Sequence, residues 1–178
     1  MASTPPDDVV RGRRRLEHLW RAGTAFLGSP LALMGGAMTW VSERRLVAAL
    51  SNAGGFGVLA CGAMEPDQLA AEIAATQALT TRPFGVNLII MHPRLEQLID
   101  VCGAHRVTHV VLAGGLPDRA TLARVKDRDA RLLCFAPSLA VAKRLVRAGA
   151  DALIIEGMEA GGHIGPVTTS VILASSRL

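Results

Sequence analysis

The 178-residue chain has no tyrosine, four phenylalanines and two tryptophans. So few aromatic rings argue against the stacking platforms on which single-stranded nucleic acid is held, and no nucleic-acid partner is expected. Cysteine is almost as scarce. Cys61, Cys102 and Cys134 lie far apart, with no CxxC pair and no histidine pair beside them. That pattern provides neither a disulfide framework nor a metal site, and three reduced thiols fit a cytoplasmic protein. Long apolar runs are missing too. Thr24 to Val41 is uncharged and near the ~18-residue lower limit for a membrane span, but Gly28, Pro30, Gly35 and Gly36 interrupt it. It reads as a turn, a short strand and a loop, so no membrane is expected. The N-terminus does not read as a signal peptide, because its arginines lead into "LEHLW" rather than an apolar stretch.

Half of the residues are hydrophobic and the net charge is +4. The positive excess gathers at Arg11, Arg13, Arg14, Arg15 and Arg21, in residues 1–29, which are expected to be a basic helical segment with a solvated face. From there onward short apolar runs alternate with amphipathic ones. The runs are "LALMGG", "GFGVLAC", "FGVNLII", "HVVLAGG", "RLLCFAP" and "ALIIEG". Each is short and continuously apolar, as parallel strands covered on both faces are. The intervening segments carry helix punctuation. Ser42 stands as N-cap before Leu46, Val47 and Leu50, with Gly54 as the stop. Pro66 opens a helix that places Leu69, Ile73 and Ala74 on one face, and Ser138 and Gly149 bracket another.

Repeated βα units allow an open doubly wound sheet or a (β/α)8 barrel. The first strand leads into "GGAMTWVS", which lacks the GxGxxG spacing of a dinucleotide-binding sheet. Glycines and polar residues gather instead at the carboxyl ends of the strands, where a barrel assembles its site. The expected fold is therefore of the (β/α)8 TIM-barrel type, with about six βα units of an incomplete barrel over residues 30–178.

Three places could carry chemistry. Behind the last apolar run lies "EGMEAGGHIG", in which Gly161 and Gly162 let backbone amides approach a ligand and His163 titrates near neutrality. The bland alternative is a turn with a histidine bonded to a carbonyl. Asn87 interrupts an apolar strand, where its carboxamide either satisfies neighbouring backbone or reaches into the barrel mouth. Glu156 either orients the loop or pairs with a base. His92 is a residue of the rim or of an ordinary helix start.

Taken together, "EGMEAGGHIG" followed by "VTTS", with "GGAM", "NAGGFG" and "PFGVNL" upstream, resembles the FMN-dependent nitronate monooxygenases, formerly 2-nitropropane dioxygenases. The FMN-dependent enoyl-acyl-carrier-protein reductases are close relatives. The resemblance implies an FMN-binding TIM barrel over residues 30–178. Gly36, Ala37 and Met38 would approach the flavin through their backbone, Asn87 would contact it, and Gly161 and Gly162 would pack against it. It also implies His163 as the catalytic base, acting on a nitroalkane or nitronate with O2 to give a carbonyl compound and nitrite. NAD(P)H-dependent enoyl reduction is the alternative activity; an inactive fragment with a structural role is the other. The family's phosphate-holding loops after strands seven and eight do not occur in these residues. Weak FMN binding, and self-association through two open barrel edges beside apolar surface, are the corresponding expectations.

Overall fold

The computed structural model describes residues 7–162 and 164–175. Helix α1 (Asp7–Leu27) precedes strands β1 (Met34–Gly35), β2 (Phe56–Ala60), β3 (Gly85–Ile89), β4 (His109–Ala113), β5 (Arg131–Ala136) and β6 (Ala152–Ile155). Helices α2 (Arg44–Asn52), α3 (Pro66–Leu79), α4 (Leu95–Ala104), α5 (Arg119–Lys126) and α6 (Leu139–Ala148) connect them in turn, and α7 (Thr169–Ser175) follows β6. Every pairing is parallel and the strand order is β1-β2-β3-β4-β5-β6. A doubly wound sheet reverses its order at a switch point. This one runs in sequence order and curls, as six staves of an incomplete (β/α)8 barrel.

Side-chain alternation divides the strands between two apolar layers. Leu59, Val86, Val110 and Leu132 lie in register, as do Leu88, Leu112, Cys134 and Leu153, and both rows pack against the helices. The intervening positions Val58, Val111 and Leu133 face inward with Phe56, Phe135 and Ile154. Burial on both faces explains why the strands read as continuous apolar runs. The thiols of Cys61 and Cys134 sit in the helix-side layer, where burial pushes both up to about 11, and that of Cys102 is raised as well. They are inert filler.

Local details differ from the expected ones in three places. The first strand shortens to two residues at the sheet edge, and Leu33 is 55% exposed. Glu43, not Ser42, caps α2: its carboxylate accepts from the Leu46 amide at 3.1 Å. In α3 the buried face carries Leu69, Ile73 and Glu72, while Ala74 is exposed. Glu72 accepts from the Arg44 backbone amide at 2.8 Å and pairs with the Arg44 guanidinium, fastening the start of α2 to α3. Ser138 and Gly149 bracket α6 as expected.

At the β6 end, an apolar hollow of about 410 Å³ opens between α6, β6 and α7, lined by Leu139, Val146, Leu153, Ile155 and Ile172. The sheet edge at β6 is thus unpaired and apolar among the described residues, as the six-strand count implies.

The amino-terminal ends of the strands are closed by α1. Leu27 is buried against Phe56 on the inner face. The last carbonyls of α1 lack helical partners and need donors from elsewhere. His109 Nε2 donates to the Phe26 carbonyl at 2.8 Å, and Arg131 donates to that of Ala25 at 3.2 Å. The Thr108 hydroxyl donates to His109 Nδ1, which fixes a neutral ring between Phe26 and Phe56. Burial holds the His109 pKa below its ordinary value, opposed by the bond to Phe26 and reinforced by Arg131. In the unfolded chain the ring takes its proton near ~6.5. Its stabilisation is therefore complete above that pH and is lost as pH falls through the lower folded-state value. Urea unfolding at about pH 7.5 and about pH 5.5 should show a drop that is smaller in His109→Gln, whose amide keeps a donor for Phe26. Equal drops would assign the acid sensitivity to other groups.

Candidate functional site

The carboxyl ends of the strands carry the segments singled out in the sequence. After β1 the chain turns through Gly36, Ala37 and Met38, and Ala37 packs on the inner layer. The turn is built around Ser42, which is 4% exposed. Its hydroxyl accepts from the Met38 amide at 2.9 Å and donates to the Gly36 carbonyl at 3.1 Å. The Met38 N–H is therefore engaged within the loop. Trp40, two residues on, has a backbone φ of 69° and is 91% exposed.

Asn87 occupies the middle of the inner face, in the row Ala60, Asn87, Val111, Leu133, Ala152. Its Nδ2 donates to the Val111 carbonyl at 3.3 Å. The carboxamide oxygen takes no hydrogen bond among the described residues and is not shut away from solvent. One half of the amide thus satisfies neighbouring backbone. The other half is left facing the barrel interior, offering an acceptor.

The loop after β6 folds on itself before α7. Met158 donates to the Val167 carbonyl, and Gly165 to that of Gly157. Glu159 reaches across to accept from the Thr169 amide at 3.0 Å and the Thr169 hydroxyl at 3.1 Å, which lowers its pKa and caps α7. Glu159 thus does the loop-orienting work considered for Glu156, whose side chain has no ion pair among the described residues. Gly161 and Gly162 border open space, and Gly162 has φ +88. His163 lies outside the described residues. His92 accepts from the Arg94 amide at 3.1 Å and so belongs to the start of α4.

Three features are available for a ligand: the Gly36–Met38 turn after β1, the inner-face Asn87 of β3 and the open Gly161–Gly162 backbone after β6. A flat heterocycle with an N–H donor fits this set, since it needs close backbone approach and an acceptor. Sequence reasoning missed Ser42 as the organiser of the loop after β1 and Glu159 as the latch of the loop after β6. Ser42 carried a signal, a hydroxyl next to the glycine-rich turn, but the adjoining helix start accounted for it equally well. Among the described residues no group of His, Cys, Asp and Glu is arranged to hold a metal, and no helix is long and apolar enough to cross a membrane.

An incomplete β/α barrel with glycine-rich loops at its carboxyl face defines the class, and comparison defines the family. The family model for nitronate monooxygenase matches residues 24–101 and 94–175, and the chain belongs to that family of oxidoreductases. It is 40% identical over 159 residues to the (3aS,4S,5R,7aS)-5-hydroxy-7a-methyl-1-oxo-octahydro-1H-indene-4-carboxyl-CoA dehydrogenase of Mycobacterium tuberculosis, covering 85% of this chain and 42% of that protein. To the nitronate monooxygenase of Paraburkholderia phytofirmans it is 31% identical, covering 82% and 50%. FabK from Thermotoga maritima superposes with a TM-score of 0.83 at 38% identity, covering 86% of this chain and 49% of that one. The chain spans about half the length of the relatives it matches.

Removing the Ser42 hydroxyl leaves the part-buried Met38 amide without its partner. Ser42→Ala should cost about 0.5–1.5 kcal/mol in urea unfolding. Because Glu43 caps α2, its helical circular dichroism should persist. Loss of the helix signal instead would return the capping role to Ser42.

Proposed function

We propose that this chain forms the flavin-facing part of an FMN-dependent oxidoreductase that oxidises alkyl nitronates with O2 to carbonyl compounds and nitrite. The observation that carries this reading is the half-used carboxamide of Asn87. Its donor is spent on Val111, and the residue stands in the inner-face row of the sheet. FMN, when bound, would supply the redox chemistry. The chain would supply the rest. Asn87 would accept a hydrogen bond from the ring system, fixing its orientation. The Ser42-braced turn of Gly36, Ala37 and Met38 would form one wall, and Gly161 and Gly162 would allow backbone contact on the other side. His163 would take the proton from the carbon bearing the nitro group when the neutral nitroalkane is presented.

A second reading, oxidation of a larger acyl thioester, draws on two observations. The 40%-identical relative is named as a CoA-thioester dehydrogenase. The mouth also exposes Met38, Trp40, Met91 and Met158, an apolar surround larger than a small nitroalkane needs. NADH-dependent enoyl reduction is separated from both by whether NADH reduces the bound flavin.

Titration with FMN should quench flavin fluorescence, and Asn87→Leu should weaken that binding while leaving the fold intact. Unfolding of Asn87→Leu with unchanged flavin affinity would reduce the carboxamide to a backbone partner. His163→Asn should slow turnover of neutral nitroalkanes by the ~10²–10⁴-fold typical of general-base catalysis, with preformed nitronates nearly unaffected. Equal losses on both would leave His163 a positioning role only.

A further inference from the structure

The face opposite the mouth carries a second concavity that neither the barrel nor the proposed chemistry uses. It measures about 440 Å³ and lies before β3 and β4, between the segment from Thr80 to Phe84 and that from Arg106 to Thr108. Gln77 forms its wall by donating to the His105 carbonyl at 2.8 Å, joining the ends of α3 and α4. Pro83, Phe84 and Val107 give it an apolar floor.

Two arginines line this hollow, Arg82 and Arg106. Neither forms an ion pair or a side-chain hydrogen bond among the described residues. Arg44, Arg94, Arg124 and Arg128, by contrast, each hold a carboxylate. The exposed Thr81 hydroxyl adds a neutral donor beside them.

The backbone provides an independent observation. Arg106 has φ 55, in the left-handed region, at the turn that ends α4. At the ends of α2 and α6 the chain puts glycine in the same region, Gly54 at φ 94 and Gly149 at φ 105, while the turn after α5 has Asp129 at φ 56. A non-glycine residue there is strained, and such strain collects at places where a side chain is needed. Arg106 stands where glycine would be easier, and it lines the hollow together with Arg82.

We propose that this hollow binds a phosphomonoester, with Arg82 and Arg106 gripping the phosphate and the apolar floor holding a compact organic group. Planar guanidinium forks match the oxygens of a phosphate, and a dianion answers two otherwise unpaired positive charges. The volume exceeds what a bare phosphate fills. The site lies at the amino-terminal ends of the strands, so it is separate from the flavin-facing mouth and does not depend on the function proposed for it.

The test titrates the full chain, without FMN, with inorganic phosphate, adenosine 5′-monophosphate and adenosine by calorimetry at constant ionic strength. Saturable one-to-one binding is expected for the monophosphate, weaker binding for phosphate and none for adenosine. Arg82→Ala, a change in an exposed loop, should weaken monophosphate binding roughly tenfold or more. Arg106→Gly should do the same while raising the melting temperature of the ligand-free chain, because glycine relieves the left-handed turn. A structural role alone would give the stabilisation without the loss of binding. Unchanged affinity in both variants, absence of saturable binding, or binding of adenosine equal to that of the monophosphate would each overturn the assignment.

Discussion

The side-chain alternation of short parallel strands is the constraint on which the rest of this molecule depends. With a period of two, each strand gives one set of side chains to the helices and the other to the barrel interior. Leu88, Leu112 and Cys134 serve the first set, and Val111 and Leu133 the second. Any polar side chain in the inner set must find partners within one strand spacing or remain open to whatever enters the barrel. Asn87 does both. A one-residue slip of β3 would send it among the helices and turn Leu88 inward, removing the acceptor and breaking the apolar layer together.

The two ends of the sheet then take different work. At the amino-terminal end, His109 and Arg131 supply donors for the final carbonyls of α1, while Phe26, Leu27 and Phe56 exclude water around them. Around α1, charge, hydrogen bonding and burial serve anchorage. At the carboxyl end the loops are braced internally, by Ser42 in one and Glu159 in the other, and their outer surfaces stay open. In β/α barrels that division separates stability from chemistry.

The architecture was legible in the chain because its signals were local. Six apolar runs, a capping Ser138 and a stopping Gly149 require only neighbouring residues to be interpreted, and the elements appear where those signals stand. What escaped depended on long-range partners. Ser42 has the chemistry of an N-cap, yet its hydroxyl is more valuable to the Gly36–Met38 turn, and the next residue takes over the cap. Glu72 looks like the polar face of an amphipathic helix until Arg44, from the preceding unit, makes its burial tolerable. His109 gave no hint that it would meet a carbonyl 83 positions earlier. At the candidate site, the half-satisfied state of Asn87 was not readable, since it follows from the register of β3 against β4.

Glycines in the loop after β6 show how one composition can serve two purposes. A Cβ on Gly165 would sit 2.0 Å from the Glu156 carbonyl oxygen, and one on Gly157 would collide with Thr169. Those two glycines let the loop close on itself. Around Gly161 and Gly162 a Cβ would meet nothing within 4 Å. Among the described residues, internal packing therefore gives no reason for the central pair to lack side chains. Gly162 has a conformational reason, its left-handed backbone. Gly161 has neither reason among the described residues, and its backbone is left open to the close approach proposed for it above.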